Sequence, residues 1–230
     1  SASDDRTAES EAVGVSVSGG AAVGASVATA TLGGSTTASA GDNLQVGQSV
    51  GTIDSLSITA DSSNTAKAKS IAGKAGIGLA ASGSVATAKS TPTVSATIGD
   101  NSRITVAGLT GVAATGRSTA DADAIGVNVA GGVGIGASVA TATSAPDIDA
   151  AIGAGARITA NQVRIAATQA ILGGGTSAYA LGAAGGLLAG VNATYAESNN
   201  KGKVDAKLGD NSELIVASSV NVDATNNTRQ

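Results

Sequence analysis

Two pairs of carboxylates, Asp121/Asp123 and Asp147/Asp149, are the residues best placed to do chemistry in a chain of 230 residues, of which 13% are charged. Each pair is spaced i,i+2, which on a strand puts both side chains on one face. Carboxylates at a suitable separation can hydrolyse glycosides, one as general acid and the other as base or nucleophile. Carbohydrate-active sites on extended β folds need more than that: a clustered acidic groove, or an Arg or Lys base with Ca2+, and aromatic platforms for the sugar rings. The only aromatic residues here are Tyr179 and Tyr195, and His and Cys are absent. Without them no Ser-His-Asp triad can form, and the most common general base, nucleophile and soft metal ligand are missing. The carboxylate pairs therefore read as solubilising charges on exposed strands.

Other motifs fall short in similar ways. The calcium-binding nonapeptide G-G-x-G-x-D does not occur, and the recurring Gly-Asp-Asn lacks the carboxylate density a hard cation needs. Gly173-Gly174-Gly175 has no Lys after it and opens no helix, so it is not a phosphate loop. No catalytic, cofactor-binding or metal-binding residue is assigned, no cofactor is expected, and the chain reads as a non-enzyme.

Composition narrows the partners. A net charge of −4 and a pI near 4.7 disfavour nucleic acid, which selects a basic stripe. The charge content is too low for an acidic disordered tail. Lack of Cys removes disulfide stapling without fixing the compartment. There is no run of about 18 apolar residues for a spanning helix. A membrane barrel would need aromatic girdles that two tyrosines cannot supply, so membrane insertion of this segment is not expected. The first residues do not read as a signal peptide, and the start reads as a cut through a longer protein, with any export signal outside it.

The elements that must carry these residues are repeats. "GASVATAT" at 24–31 returns as "GSVATAK" at 83–89, "GASVATAT" at 136–143 and a worn "GVNATYAE" at 190–197. A turn-like motif places Gly41, Gly99, Gly153 and Gly209 at steps of 58, 54 and 56 residues. A short strand follows each time, from Leu56, Val112, Val163 and Val220. The chain thus reads as one segment, 1–230, of about four units of roughly 56 residues, at approximately 9–66, 67–120, 121–176 and 177–230.

Within a unit the period is 2. Ile125, Val127 and Val129 alternate with Gly126, Asn128 and Ala130, and the pattern resumes beyond Gly131-Gly132. Alternation with β-branched residues signals strand, and interspersed Gly would cost a helix about 1 kcal/mol each. The Gly pair and the Gly-Asp-Asn run supply turns. The small-residue face is expected to pack on a facing sheet, with the branched face partly covered or lining a second layer.

Alignment of the units stacks Glu9/Glu11, Lys67/Lys69, Asp121/Asp123 and Ser177/Tyr179. With one wide coil per unit these lie in neighbouring strands about 4.8 Å apart and form a charge ladder that sets register. Two or three smaller coils per unit would separate them. The wide coil is expected, because strands as long as 124–130 and 133–143 suit a small triangular coil poorly. A second column, Thr29, Thr87, Thr141 and Tyr195, with Thr31, Lys89, Thr143 and Glu197 beside it, reads as a solvent-facing wall. Its threonine rows also fit an ice-binding array, which Lys89 and Glu197 interrupt.

The run from Ala124 to Thr168, with its Val/Gly/Ala strand pair, its "AAIGAGARITA" at 150–160, and its "VRIAAT", resembles the repeat regions of giant bacterial surface proteins, the leukotoxin-type and filamentous-haemagglutinin-like adhesins. The resemblance extends from about Glu9 to Thr225. It implies a right-handed parallel β-helix or related β-solenoid, secretion to the bacterial cell surface, and a role as the rigid shaft or filament of an adhesin or matrix. Its partners would be further repeats of the same chain, end to end, with glycans or cell surfaces as outside contacts. The alternative function is a binding module that recognises glycan, host surface or ice along a flat polar face. Two formal glycosylation sequons, at Asn192 and Asn226, are incidental in a bacterial protein.

Overall fold

Strands form here because branched and small residues alternate, and turns form where Gly pairs or Gly-Asp-Asn interrupt them. The structure, a computed structural model, describes residues 1–48, 53–171 and 173–228. Among these the chain is all-β and contains no helix. Strand β1 (Ala2–Ser18) turns at Gly19-Gly20 and returns as β2 (Ala21–Ala40), followed by the short β3 (Gln45–Val46). The next circuit comprises β4 (Leu56–Gly76), β5 (Leu79–Ile98) and β6 (Arg103–Thr105). Then come β7 (Leu109–Ala130), β8 (Val133–Ser144) and β9 (Asp147–Ile152). After them follow β10 (Arg157–Ala170), β11 (Ser177–Gly186), β12 (Ala189–Asn200), β13 (Lys203–Leu208) and β14 (Glu213–Asn226).

These strands build two sheets. The first has the order β1-β4-β7-β10-β6-β3, with β11 also on β7 and β14 also on β10; the second has the order β12-β8-β5-β9-β13, with β2 on β5. Every pairing is parallel and joins a strand to its equivalent one repeat away. Each repeat therefore makes one circuit, out along the first sheet and back along the second. Pro92 lies opposite Gly34, and Pro146 falls in the break between β8 and β9. A residue with no N–H cannot donate to the ladder: β5 runs unbroken past Pro92 beside β2, and on its other side its pairing is split between β8 and β9 at Pro146. In the last full circuit, six residues separate Ala170 from Ser177 where three separate Arg117 from Asp121. That excursion holds Gly173 and Gly175, both at positive φ, and splits β10 from β11.

The interior between the sheets changes along each strand. Near the Gly-Asp-Asn turns it is filled by Val94, Ile98, Ile104, Ile148, Ile152 and Ile158, all buried. The buried apolar residues of the middle are, among the described residues, all alanines, including Ala66, Ala86, Ala122 and Ala140, with Leu32 packed at their margin. Towards the Gly-pair turns Ser, Gly and Asn join the alanines at the inner positions, with Lys74 among them. There Ser70 Oγ donates to Ser26 O at 2.8 Å, Ser138 Oγ to Leu181 O at 2.8 Å, and Asn128 Nδ2 to Ile135 O at 2.9 Å. A Cβ built on Gly134 would lie 2.7 Å from the Gly185 carbonyl oxygen. The body is thus a wedge whose thickness follows side-chain size.

The small-residue face does pack inward, as expected. The branched face at the thin end has no second layer over it: Val13, Val15, Val17, Val127 and Val129 are exposed. An Ala/Gly/Ser interior leaves room only for sheets in close contact, and the branched residues of the same strands then point outward.

The thick end is closed by a repeated turn. Asn43, Asn101 and Asn211 have φ of 57°, 55° and 56°, and Gly155 takes the equivalent place at 66°. Asp42 Oδ1 accepts the Asp100 N–H at 2.9 Å, and Asp100 Oδ1 accepts the Ala154 N–H at 2.8 Å, so each carboxylate stitches one circuit to the next. Left-handed backbone favours Asn and Gly and penalises branched residues. Asn101→Val is expected to lower unfolding free energy in urea by about 1–2 kcal/mol, with Asn101→Gly near neutral. Equal melting of the two variants would contradict the strain.

Candidate functional site

The outer face of the first sheet carries the charge rows. Register places Glu9 beside Lys67, Lys67 beside Asp121 and Asp121 beside Ser177. The parallel row is Glu11, Lys69, Asp123 and Tyr179. Lys67 Nζ lies 3.3 Å from Glu9 Oε1, Lys69 Nζ 3.8 Å from Glu11 Oε1, and Ser177 Oγ donates to Asp121 Oδ1 at 2.8 Å. Negative, positive and negative rows succeed one another in adjacent strands, and the residues line a shallow open depression. Lysines and glutamates here are about half exposed or more, so each pair contributes little to stability. Their effect is on register: slipping by one repeat would place like charges side by side.

The two carboxylate pairs lie on opposite outer faces, Asp121/Asp123 on the first sheet and Asp147/Asp149 on the second, and share no groove. Asp147 and Asp149 meet lysines of the next circuit: Lys203 Nζ is 3.8 Å from Asp147 Oδ1, and Lys207 Nζ is 3.3 Å from Asp149 Oδ1. Asp205 lies between those lysines, 2.7 Å from Lys203 and 3.3 Å from Lys207. The Lys203 hydrogen bond, seconded by Lys207, holds the Asp205 carboxyl below its usual range, and Asp205 in turn raises both ammonium groups. The arrangement suits an ionised surface network.

The second sheet's outer wall differs from the expected column in one place. Thr29, Thr87 and Thr141 are in register, but the fourth member is Glu197, and Asn199 continues the Thr31, Lys89, Thr143 row. Gly190 pairs with Gly134, two residues earlier than composition suggests. Because two residues preserve the face, the shift leaves alternation intact. Tyr195 instead faces Val139 and donates to Glu197 Oε2 at 2.7 Å, while Asn199 Nδ2 donates to Glu197 Oε1 at 2.7 Å. Asn199 first, then Tyr195, lowers the Glu197 carboxyl, and that bond to Glu197 raises the Tyr195 hydroxyl. The signal for this cluster was i,i+2 spacing along one strand face.

No group of three or more His, Cys, Asp or Glu side chains able to hold a metal ion gathers among the described residues. Gly173 and Gly175 lie on the sheet-splitting excursion and cradle nothing resembling a phosphate site. Comparison with family models, with curated proteins and with solved structures yields no match.

Proposed function

We propose that this chain is a segment of a β-solenoid that acts as a rigid, non-enzymatic shaft of an extracellular bacterial surface protein. The carrying observation is register: each strand pairs with its equivalent one repeat away, through two sheets, with one circuit per repeat. Such a body lengthens by adding copies, and each added circuit satisfies the backbone groups of the one before it. Among the described residues β1, β2 and β12 pair along one edge only, and such edges accept further circuits. Outer walls of alternating charge and hydroxyl rows suit a solvated rod. The bacterial, cell-surface setting is part of the proposal and rests on the sequence resemblance.

A head-to-tail duplicate of the chain tests this. Solution scattering or cryo-EM is expected to find a single rod that lengthens by about 4.8 Å per added circuit. Two bodies that reorient independently would overturn the stacking. The threonine rows favour a second reading, a flat binding face for glycan, host surface or ice. Lys89, Glu197 and Asn199 break the regularity that an ice lattice would require.

A further inference from the structure

At the Gly-pair end the wedge is inside out. Inner positions carry Ser, Gly, Asn and small alanines such as Ala72 and Ala80, with Lys74 among them, while the outer ones carry branched aliphatics on both sheets. Val17 is 80% exposed on the first sheet, and Val23 and Val191 are 71% and 59% exposed on the second. The turn edge adds Leu187 at 87% and Leu188 at 83%. Together they make an apolar ridge that wraps two faces and the edge joining them, larger than scattered surface hydrophobics explain.

Three further features bear on what covers it. Lys74, the charged residue of this end, is turned inward and only 8% exposed, with its Nζ against Gly24, so the ridge surface carries no charge. Turn backbone groups are paired between circuits: Gly78 N to Gly20 O at 3.0 Å, Gly131 N to Gly76 O at 2.9 Å, Leu188 N to Gly132 O at 3.0 Å. The turns themselves therefore offer few bare donors between circuits, while among the described residues the outer edges of β1, β2, β11 and β12 stay unpaired. Finally, the two tyrosines of the chain both sit where the apolar ridge meets the charged body. Tyr179 lies in the Asp123 row and Tyr195 beside Glu197, each about half exposed. Amphipathic rings with a polar tip favour a membrane–water boundary.

We propose that the ridge enters a lipid bilayer from one side and holds the body against it. The protein is convex there and apolar on three sides, so a partner packed on one face would leave the others wet, whereas a lipid phase covers all of them. From Ile125 to the turn is about six residues, or ~20 Å at ~3.3 Å each. That exceeds one leaflet's share of a hydrocarbon core about 30 Å thick and falls short of spanning it. The expectation of no membrane insertion was based on spanning helices and closed barrels, and an edge-on ridge is neither. This inference goes beyond the shaft reading and rests on it, because further circuits are what cover the open edges of β1, β2, β11 and β12. With no charge on the ridge, anionic headgroups are not required.

The test is flotation of the chain with phosphatidylcholine vesicles, together with quenching of tyrosine emission by brominated phosphatidylcholine. The chain is expected to float and its emission to be quenched. Leu187→Asp/Leu188→Asp is expected to lower the vesicle-bound fraction at least about tenfold. Ile215→Asp, at an outward site 60% exposed on β14 at the other end of the sheet, should leave it unchanged. If the Leu variant loses its sheet signal by circular dichroism, Val15→Asp/Val17→Asp on the first-sheet face of the ridge replaces it. Equal flotation of wild type and both variants would overturn the proposal. So would lipid-free dimers in sedimentation that the same variants abolish without any vesicle binding, because the ridge's occupant would then be a second copy.

Discussion

Ile148→Ala is expected to lower unfolding free energy by about 2–5 kcal/mol. Ile148 is fully buried in β9, with Val94 beside it in one neighbouring strand and Val204 in the other. Across the interior its Cδ1 occupies the space over Gly116, where a Cβ would lie 2.6 Å away. Hydrogen-bonded ladders on both sides hold the backbone in place, so the hole left by three missing carbons cannot collapse. Position 116 tests this directly. Gly116→Ala alone should destabilise, because its new methyl meets Ile148. In the Ile148→Ala background the same methyl enters the hole, so the double variant is expected to be more stable than the two single losses add up to. Strict additivity in urea unfolding would mean the two residues are not in contact.

The same contact illustrates what the amino-acid sequence reveals and what it conceals. The strand period, the turns and the repeat are local, and they are legible: Glu9, Lys67, Asp121 and Ser177, aligned by motif, are hydrogen-bonded neighbours. One circuit per repeat follows from strand length. The inside of the wedge was harder to read. In β7 Val112 is buried, yet Val127 and Val129 of the same strand are exposed, although alternation runs through without a phase shift. A period-2 reading assigns one face to the core along the whole strand. Here the inner face stays the same while the large residues cross to the other face, from Ile and Val inside at the thick end to Val outside at the thin one. Only the separation of the sheets, a tertiary property, distinguishes the two.

The candidate site was legible to a similar degree. The carboxylates were found by type and spacing, but what neutralises Asp147 and Asp149 is Lys203 and Lys207, more than 50 residues away in a copy whose motif has worn. In the fourth copy, Gly190 aligned by composition is two residues from its true partner. With so few residue types in play, "GVNATYAE" matches its parent motif nearly as well in either frame, and the ladder chooses between them.

A wedge this thin should tolerate least in its middle. Ala140→Leu is expected to cost about 1–3 kcal/mol, with the upper end favoured by its surroundings. Ala140 is fully buried in β8, between Ala86 and Ala196 in the adjoining strands, and faces a first-sheet wall of alanines that includes Ala122 and Ala124. None of these neighbours has a rotamer with which to make room. In an ordinary core, strain from an added methylene is spread by side chains that turn; here it passes to two backbones held by ladders above and below. The outward neighbour Val139 provides the comparison. Val139→Leu adds volume on the outer side of the same strand, beside Val85 and Tyr195 with no sheet packed over it, and should change stability by no more than about 0.5 kcal/mol. If urea melts place both variants within that margin, the two sheets are not in contact through their alanines, and the taper that turns this protein's apolar residues outward would lose its cause.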